Sequence, residues 1–422
     1  IIFLTAFCTS TAQEKLEIVD LQDINTQIAT LAADNDYEGI LLELDKINVN
    51  DTAYVSSLVS KSFYLMALER YSDAVDSLQK GLSLSKTDTR SSLYQNLGVS
   101  YFKQEKYDQA IETLDEGLQY YPLNHSLLYN KAIVLETQNK LVEAVKLLEK
   151  VITISPYYIN AYIKLGSIYY KQEKPAQALM AYNLALILDP DGANAFSRLQ
   201  GVNDMYRNAN ESKRTPGLEL SPDDAAFEEL NLILANRIAL NEGYETGNEL
   251  NFPLIKQNHA MLSQITAING NGGFWDSKFL PFFKWIAETN NFDNWSYTIS
   301  YSIEKEDFQK VIKKRTHEIK EFISTSFPKW TSLLAANNPS PFAKRNVNFN
   351  YDGEPLYTSA IGKINDAGNP EGLWLYFNDN GRQAIEANYD ADGERTGIWK
   401  WFDENHNLKE KSSYLKGKPQ DS

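Results

Sequence analysis

The sequence predicts a multi-domain chain. An α-solenoid of helix–turn–helix repeats comes first, then a mainly helical middle region, then a small all-β array of tandem hairpins. Two periodicities and the gap between them carry that expectation. Residues 94–122, YQNLGVSYFKQEKYDQAIETLDEGLQYYP, meet similar residues 34 positions on, and again after another 34. Residues 372–414 repeat at 25 positions. Between them lies a stretch with no period and many aromatic residues. A fixed period of this length is the mark of stacked supersecondary units, none of which can bury both its faces alone.

Each repeat carries apolar residues at helical spacing, such as Tyr94, Leu97 and Tyr101, then Ile111, Leu114 and Leu118. Small residues recur where two helices must approach closely: Gly98, Ala132 and Gly166 on the first helix, Ala110, Ala144 and Ala178 on the second. Pro122, Pro156 and Pro190 follow each second helix, where a missing N–H costs little. In spacing and residue type these units resemble the tetratricopeptide repeat (TPR), a helix–turn–helix unit that stacks into a superhelix. Residues 21–56 read as a worn first repeat and 57–90 as a clearer one. Units at 91–124, 125–158 and 159–192 follow, and residues 193–206 read as a capping helix that completes a solenoid over 21–206.

The resemblance implies a concave groove lined by the first helix of each unit. Carried over at the 34-residue spacing, the groove residues are Lys61, Leu65 and Leu68, then Gln95, Val99, Phe102 and Lys103. Tyr129, Ile133 and Glu136 follow, then Asn160, Ile163, Tyr170 and Lys171. Relatives that clamp a C-terminal carboxylate do so with Lys and Asn. Here only Lys61 could match, and Leu65, Val99 and Ile133 stand where asparagines would help. The groove is therefore expected to be apolar, with Phe102, Tyr129 and Tyr170 as anchors for an extended or helical protein segment.

Residues 207–220 are polar and read as a linker. The middle region, 221–340, matches no family. Ser221-Pro222-Asp223-Asp224 is a good helix start, with a hydroxyl cap, a proline in the first turn and carboxylates at the positive end of the dipole. That helix is expected to run to Asn241, with irregular chain over 244–300 and another helix from Glu304 to Phe322. The aromatic cluster of 244–300 reads as packed core rather than a ligand box.

From residue 346 to 422, Gly372 falls on Gly397, Trp374 on Trp399, Phe377 on Phe402 and Tyr389 on Tyr414. Asn380-Gly381 and Glu404-Asn405 occupy the turns. Alternating aromatic and polar residues broken by such turns predict stacked β-hairpins, and the pattern is similar to bacterial variants of the MORN repeat. Trp374, Trp399 and Trp401 are the candidate exposed surface of this array. If exposed, they suit a cell-wall or other carbohydrate ligand, which is the alternative function.

A net charge of −15 over 422 residues argues against nucleic acid, which needs Lys and Arg to displace counterions. The opening IIFLTAFCTSTAQEK resembles the end of a secretory signal, with residues 1–12 as the remnant and cleavage before Gln13. The expected location is thus periplasmic or envelope-associated. Lipidation at Cys8, the single cysteine, is the lesser reading, because Phe7 stands where a small residue is needed. No later run is long and apolar enough for a membrane span.

No cofactor, metal or catalytic residue is expected. His125, His259, His317 and His406 lie far apart in sequence, none with a second ligand at metal-binding spacing. The glycine cluster at 270–273 reads as a loop rather than a phosphate cradle. An enzyme centred on 221–340 is a further alternative. The reading as a whole is an exported bacterial scaffold that binds protein partners.

Overall fold

In the computed structural model the described residues are 19–85, 90–208, 217–270, 272–335, 343–345, 349–351, 354–357, 359–365, 369–377, 383–402 and 408–420. The turns expected at 380–381 and 404–405, the signal remnant expected at 1–12 and His406 lie outside them. The chain divides into two compact units, residues 1–117 and 118–422.

The first unit holds helices α1 (Leu21–Ala33), α2 (Tyr37–Leu44), α3 (Tyr54–Ala67), α4 (Tyr71–Leu84) and α5 (Arg90–Lys103), and most of α6 (Tyr107–Tyr120). Their buried residues recur at helical spacing: Ile40 and Leu44, Leu58 and Leu65, Ala74 and Leu78, Leu93 and Leu97, Ala110 and Leu114. Asp20 and Asp36 cap α1 and α2 by accepting backbone N–H bonds in the first turn. Gly98 lets α5 and α6 close together, since a Cβ there would stand 2.7 Å from Leu114.

The turn inside each helix pair has one geometry throughout the repeats. Asn35, Glu69, Glu105, Asn139 and Glu173 all adopt the left-handed conformation, with φ between 57° and 60°. The next N–H in each case reaches back to the carbonyl of Leu31, Leu65, Tyr101, Leu135 or Tyr169. These are Schellman endings, the 6→1 bond that satisfies an orphan helix carbonyl. The five turns are spaced by 34, 36, 34 and 34 residues. The second pair is therefore two residues out of the uniform 34 spacing, and Leu65 is the equivalent of Tyr101.

The second unit continues with α7 (His125–Thr137), α8 (Leu141–Ile154), α9 (Ile159–Lys171), α10 (Pro175–Leu188) and α11 (Ala195–Asn208). It then departs from the expected middle region. The single helix expected over 221–241 is broken into a 3₁₀ turn at Asp224–Phe227, α12 (Glu228–Ala235) and a second 3₁₀ turn at Ile238–Leu240. Arg237, left-handed at φ 56°, makes the break. The stretch expected to be irregular contains α13 (Pro253–Ile265), a π-helical turn at Trp275–Phe279 running into α14 (Leu280–Glu288), and α15 (Phe292–Ile299). The helix expected over 304–322 is two, α16 (Glu306–Lys314) and α17 (Thr316–Ala335).

These helices make a core around α10. Residues Pro175 to Ile187 are all buried, so α10 has no solvent face. Trp275 and Trp330 meet Tyr169 and Tyr162 of α9, and with Phe279, Phe282, Phe283 and Trp295 they are fully buried. Ring pairs at 4.3–6.1 Å tie them together, as in Trp275–Phe279, Phe279–Trp330 and Tyr162–Trp330. The aromatic cluster is packed core, as its composition implied.

The C-terminal part is an antiparallel sheet with strand order β1-β4-β5-β6-β7-β8-β9, and β2 pairs separately with β3. The strands are Ala343–Arg345, Phe349–Tyr351, Glu354–Tyr357, Ser359–Ile364, Pro370–Phe377, Gln383–Tyr389, Gly397–Phe402, Leu408–Leu415 and Lys418–Gln420, β1 to β9 in order. The 25-residue period is a register: Gly372 faces Tyr389 as Gly397 faces Tyr414, and Trp374 faces Ala387 as Trp399 faces Ser412. Both hairpins carry an irregularity at the same place, after Tyr376 and after Trp401.

Candidate functional site

The residues expected to line a groove fall into two sets, one in each compact unit. In the first unit Gln95, Val99 and Phe102 lie on one face of α5, each half-buried. The Phe102 ring rests 5.8 Å from that of Tyr107. Lys61 is ion-paired to Asp45. Leu65 is not a groove residue: it is 1% exposed and packs with Leu41 and Ala74. The reason is the two-residue offset, which puts Leu65 on the core position of Tyr101. The same offset makes Val59, Phe63 and Met66 the equivalents of Gln95, Val99 and Phe102. Phe63 is 60% exposed, Val59 and Met66 half-buried. Asn96 Nδ2 donates to Ser62 Oγ at 3.1 Å, which joins α5 to α3 beside this row. Sequence reasoning missed Phe63 because the uniform period hid the offset; the repeated tyrosines at the starts of α4 and α6, 36 residues apart, were the available signal.

In the second unit Tyr129, Ile133, Ile163 and Tyr170 are all half-buried. Tyr129 packs edge-on to Tyr158 at 5.2 Å, and the His125 ring lies 4.8 Å from that of Tyr158. Burial, then the neighbouring Tyr158 and Glu136, push the Tyr129 hydroxyl up to about 12. Glu136 pairs with Lys164 at 2.7 Å and Lys171 at 3.1 Å. Burial works against its charge, yet the bonds to Lys164 and then Lys171 hold its carboxyl below the usual range. Tyr170 is already engaged: its ring meets Tyr206 at 5.9 Å and its hydroxyl donates to the Met205 carbonyl at 3.3 Å, both on α11. A capping helix thus covers one of the three expected anchors.

The three hairpin tryptophans are not exposed. Trp374 is 2%, Trp399 0% and Trp401 9% accessible, and they form one cluster with Tyr376, Ile385 and Ala387. Trp399 Nε1 donates to the Asn388 carbonyl at 3.0 Å, and the Arg395 guanidinium covers its ring at 4.6 Å. A stack of sugars needs an open ring face, so these residues are hairpin core. Burial was concealed because both faces of an isolated hairpin alternate alike in sequence, and only the packing of neighbouring strands into one cluster decides which face is inside.

The glycine cluster has a structural cause. A helix does open beyond it, yet its N-terminus is filled by the chain's own carboxylates: Asp223 accepts the N–H of Asp276 at 2.8 Å and Asp276 accepts that of Gly272 at 2.8 Å. A Cβ at Gly273 would stand 2.3 Å from Asp223, and one at Gly270 would stand 1.7 Å from Asp276. The glycines admit these carboxylates, and a phosphate has no room there. His259 bonds the Tyr244 hydroxyl at 2.7 Å, and burial lowers its proton affinity. Among the described residues no three His, Cys, Asp or Glu side chains group as metal ligands, and no helix is long and apolar enough to cross a membrane.

Residues 96–159 and 159–191 match tetratricopeptide-repeat family models. Over 106 residues the chain is 33% identical to mouse RNA polymerase II-associated protein 3, a match covering 25% of this chain and 16% of that protein. Over 89 residues it is 36% identical to the small glutamine-rich tetratricopeptide repeat-containing protein 2 of Saccharomyces cerevisiae, covering 21% of this chain and 25% of that one. The chain thus spans a quarter or less of these relatives' length. The solved structure of MamA is similar over 41% of this chain and 97% of its own, at 22% identity and a TM-score of 0.34.

Proposed function

We propose that the tetratricopeptide repeats hold a protein segment, and that the chain is an exported scaffold of a bacterial envelope complex. The observation that carries the binding reading is the row on α3 and α5. Phe63 stands 60% exposed, beside half-buried Val59, Met66, Val99 and Phe102, while Leu58, Leu65 and Leu97 of the same helices are buried. The backbone under each of these side chains is already fixed by its helix, so covering it costs only side-chain rotamer entropy. Such a row suits an amphipathic helix presenting apolar residues at intervals of three or four, or an extended segment presenting them at intervals of two. The hairpins, read as variants of the MORN repeat, serve as a spacer or second binding module. Export rests on the composition of residues 1–12, and a mature N-terminus at Gln13 by mass spectrometry is its test.

The binding reading is tested with the full chain on a peptide array. Bound peptides should share apolar or aromatic residues at such intervals. The triple variant Phe63→Ala, Val99→Ala, Phe102→Ala should lose them at least tenfold, with its melting temperature little changed. Retention of the same peptides by that variant would reject the site.

A further inference from the structure

In the second unit a concavity lies between α11, the start of α13 and the start of α16. It encloses about 390 Å³, within the range of roughly 300–1,000 Å³ typical of small-molecule sites. Its walls are apolar: Phe196 and Leu199 from α11, Phe252 and Pro253 at α13, Ile303 and Phe308 at α16. The Phe252 and Phe308 rings meet at 5.6 Å and form one side. Gln200, Asn203, Asp204, Arg207 and Lys305 complete the lining with polar groups. Asp204 is neutralised by Arg207 at 3.0 Å. Glu306 and Asp307, the nearest acids on α16, lie 2.9 and 3.7 Å from Lys310. Lys305 has no carboxylate partner among the described residues; its ammonium rests 4.4 Å above the Phe308 ring. Asn203 Oδ1 is taken by the Leu254 N–H at 3.1 Å, which turns the amide so that its donor end is the one left for a ligand.

We propose that this cavity binds a small amphipathic carboxylate, its alkyl or aryl part against the phenylalanines and its carboxylate between Lys305 and Asn203. An apolar bowl with one unneutralised cation and one amide donor at its edge favours an anion over a neutral or cationic molecule of equal length. In a chain of net charge −15, the lining itself carries two cations, Arg207 and Lys305, against one carboxylate, Asp204, and the acids Glu304, Glu306 and Asp307 are not among its residues.

The test is calorimetric titration of the full chain with decanoate, decanol and decylamine at low salt. Decanoate should bind one to one, at least fivefold more tightly than decanol, with decylamine weakest. Lys305→Gln should weaken decanoate about fivefold and leave decanol unchanged, the size expected of one exposed charged contact. Half-molar salt should weaken decanoate alone. Gln200→Trp, at an exposed position on the rim, should block all binding without disturbing the core. Absence of decanoate binding would overturn the assignment. So would equal affinity for decanoate and decanol, tighter binding of decylamine, or binding that survives Gln200→Trp.

Discussion

Trp275 Nε1 donates to the Tyr169 hydroxyl at 2.7 Å across 106 residues of sequence, with the two rings edge-on at 4.7 Å. Trp330 repeats the arrangement, donating to the Tyr162 hydroxyl at 2.7 Å. Both tyrosines belong to the last repeat and both tryptophans to the helices after it. The end of the stack is thus closed by indole–phenol pairs, and the middle region acts as its cap. Burial pushes both hydroxyls well above the usual tyrosine range.

Replacing Trp275 with Phe keeps most of the packing but leaves the Tyr169 hydroxyl without its donor. Leaving such a buried group unpaired costs about 1–3 kcal/mol. The second unit should melt at lower temperature in scanning calorimetry. The double variant Trp275→Phe, Tyr169→Phe should recover part of the loss, because no polar group is then stranded.

Asn183 on α10 and Asn258 on α13 exchange two amide hydrogen bonds, 2.8 and 3.1 Å, both side chains fully buried. Asn183→Leu should destabilise by about 1–3 kcal/mol through the stranded Asn258 amide. Asn183→Leu with Asn258→Leu should be closer to wild type. A double-mutant cycle by denaturant unfolding reads the coupling.

Two glycines in helices should respond in opposite directions. A Cβ at Gly98 would press on Leu114, so Gly98→Ala should cost about 1–3 kcal/mol. Gly201 on α11 has nothing within 4 Å, so Gly201→Ala should stabilise by about 0.5–1 kcal/mol. Glu105 belongs with them: left-handed at φ 60°, it should gain a few tenths to about 1 kcal/mol on replacement by Gly.

Glu149 on α8 is pushed up to about 8, by burial first and then by the Asp223 and Asp224 carboxylates, with Lys146 opposing. The folded chain therefore holds a proton there that the unfolded chain releases near 4.5. Stability should fall as pH rises from about 4.5 through 8. Glu149→Gln removes that dependence, and at pH 8.5 it should be more stable than wild type by at least about 1 kcal/mol. Paired unfolding curves across the range check it.

Much of the repeat architecture was legible, and the exceptions are specific. Gly98, Ala110, Leu97 and Tyr101 declared themselves because a position pressed by two neighbours tolerates few side chains. Leu65 was misplaced because an insertion between repeats shifts the count without changing the helix pattern. The helices over 253–299 were unreadable because chain buried on several sides shows no alternation. The half-buried positions of Phe102 and Val99 follow from the period, while that of Phe63 follows from the 36-residue step between Tyr71 and Tyr107.

The sequence by itself determined the helix pairs, their close contacts and the hairpin register, since each depends on residues within one period of one another. Tertiary structure alone decided that α10 loses every solvent face, that α11 covers Tyr170, and that Trp374, Trp399 and Trp401 turn inward. Those outcomes depend on which apolar surfaces meet: across 106 residues for Tyr169 and Trp275, across 35 for Tyr170 and Met205, and within one sheet for the tryptophans. Burial is set by the partner that arrives, and local spacing carries no record of it.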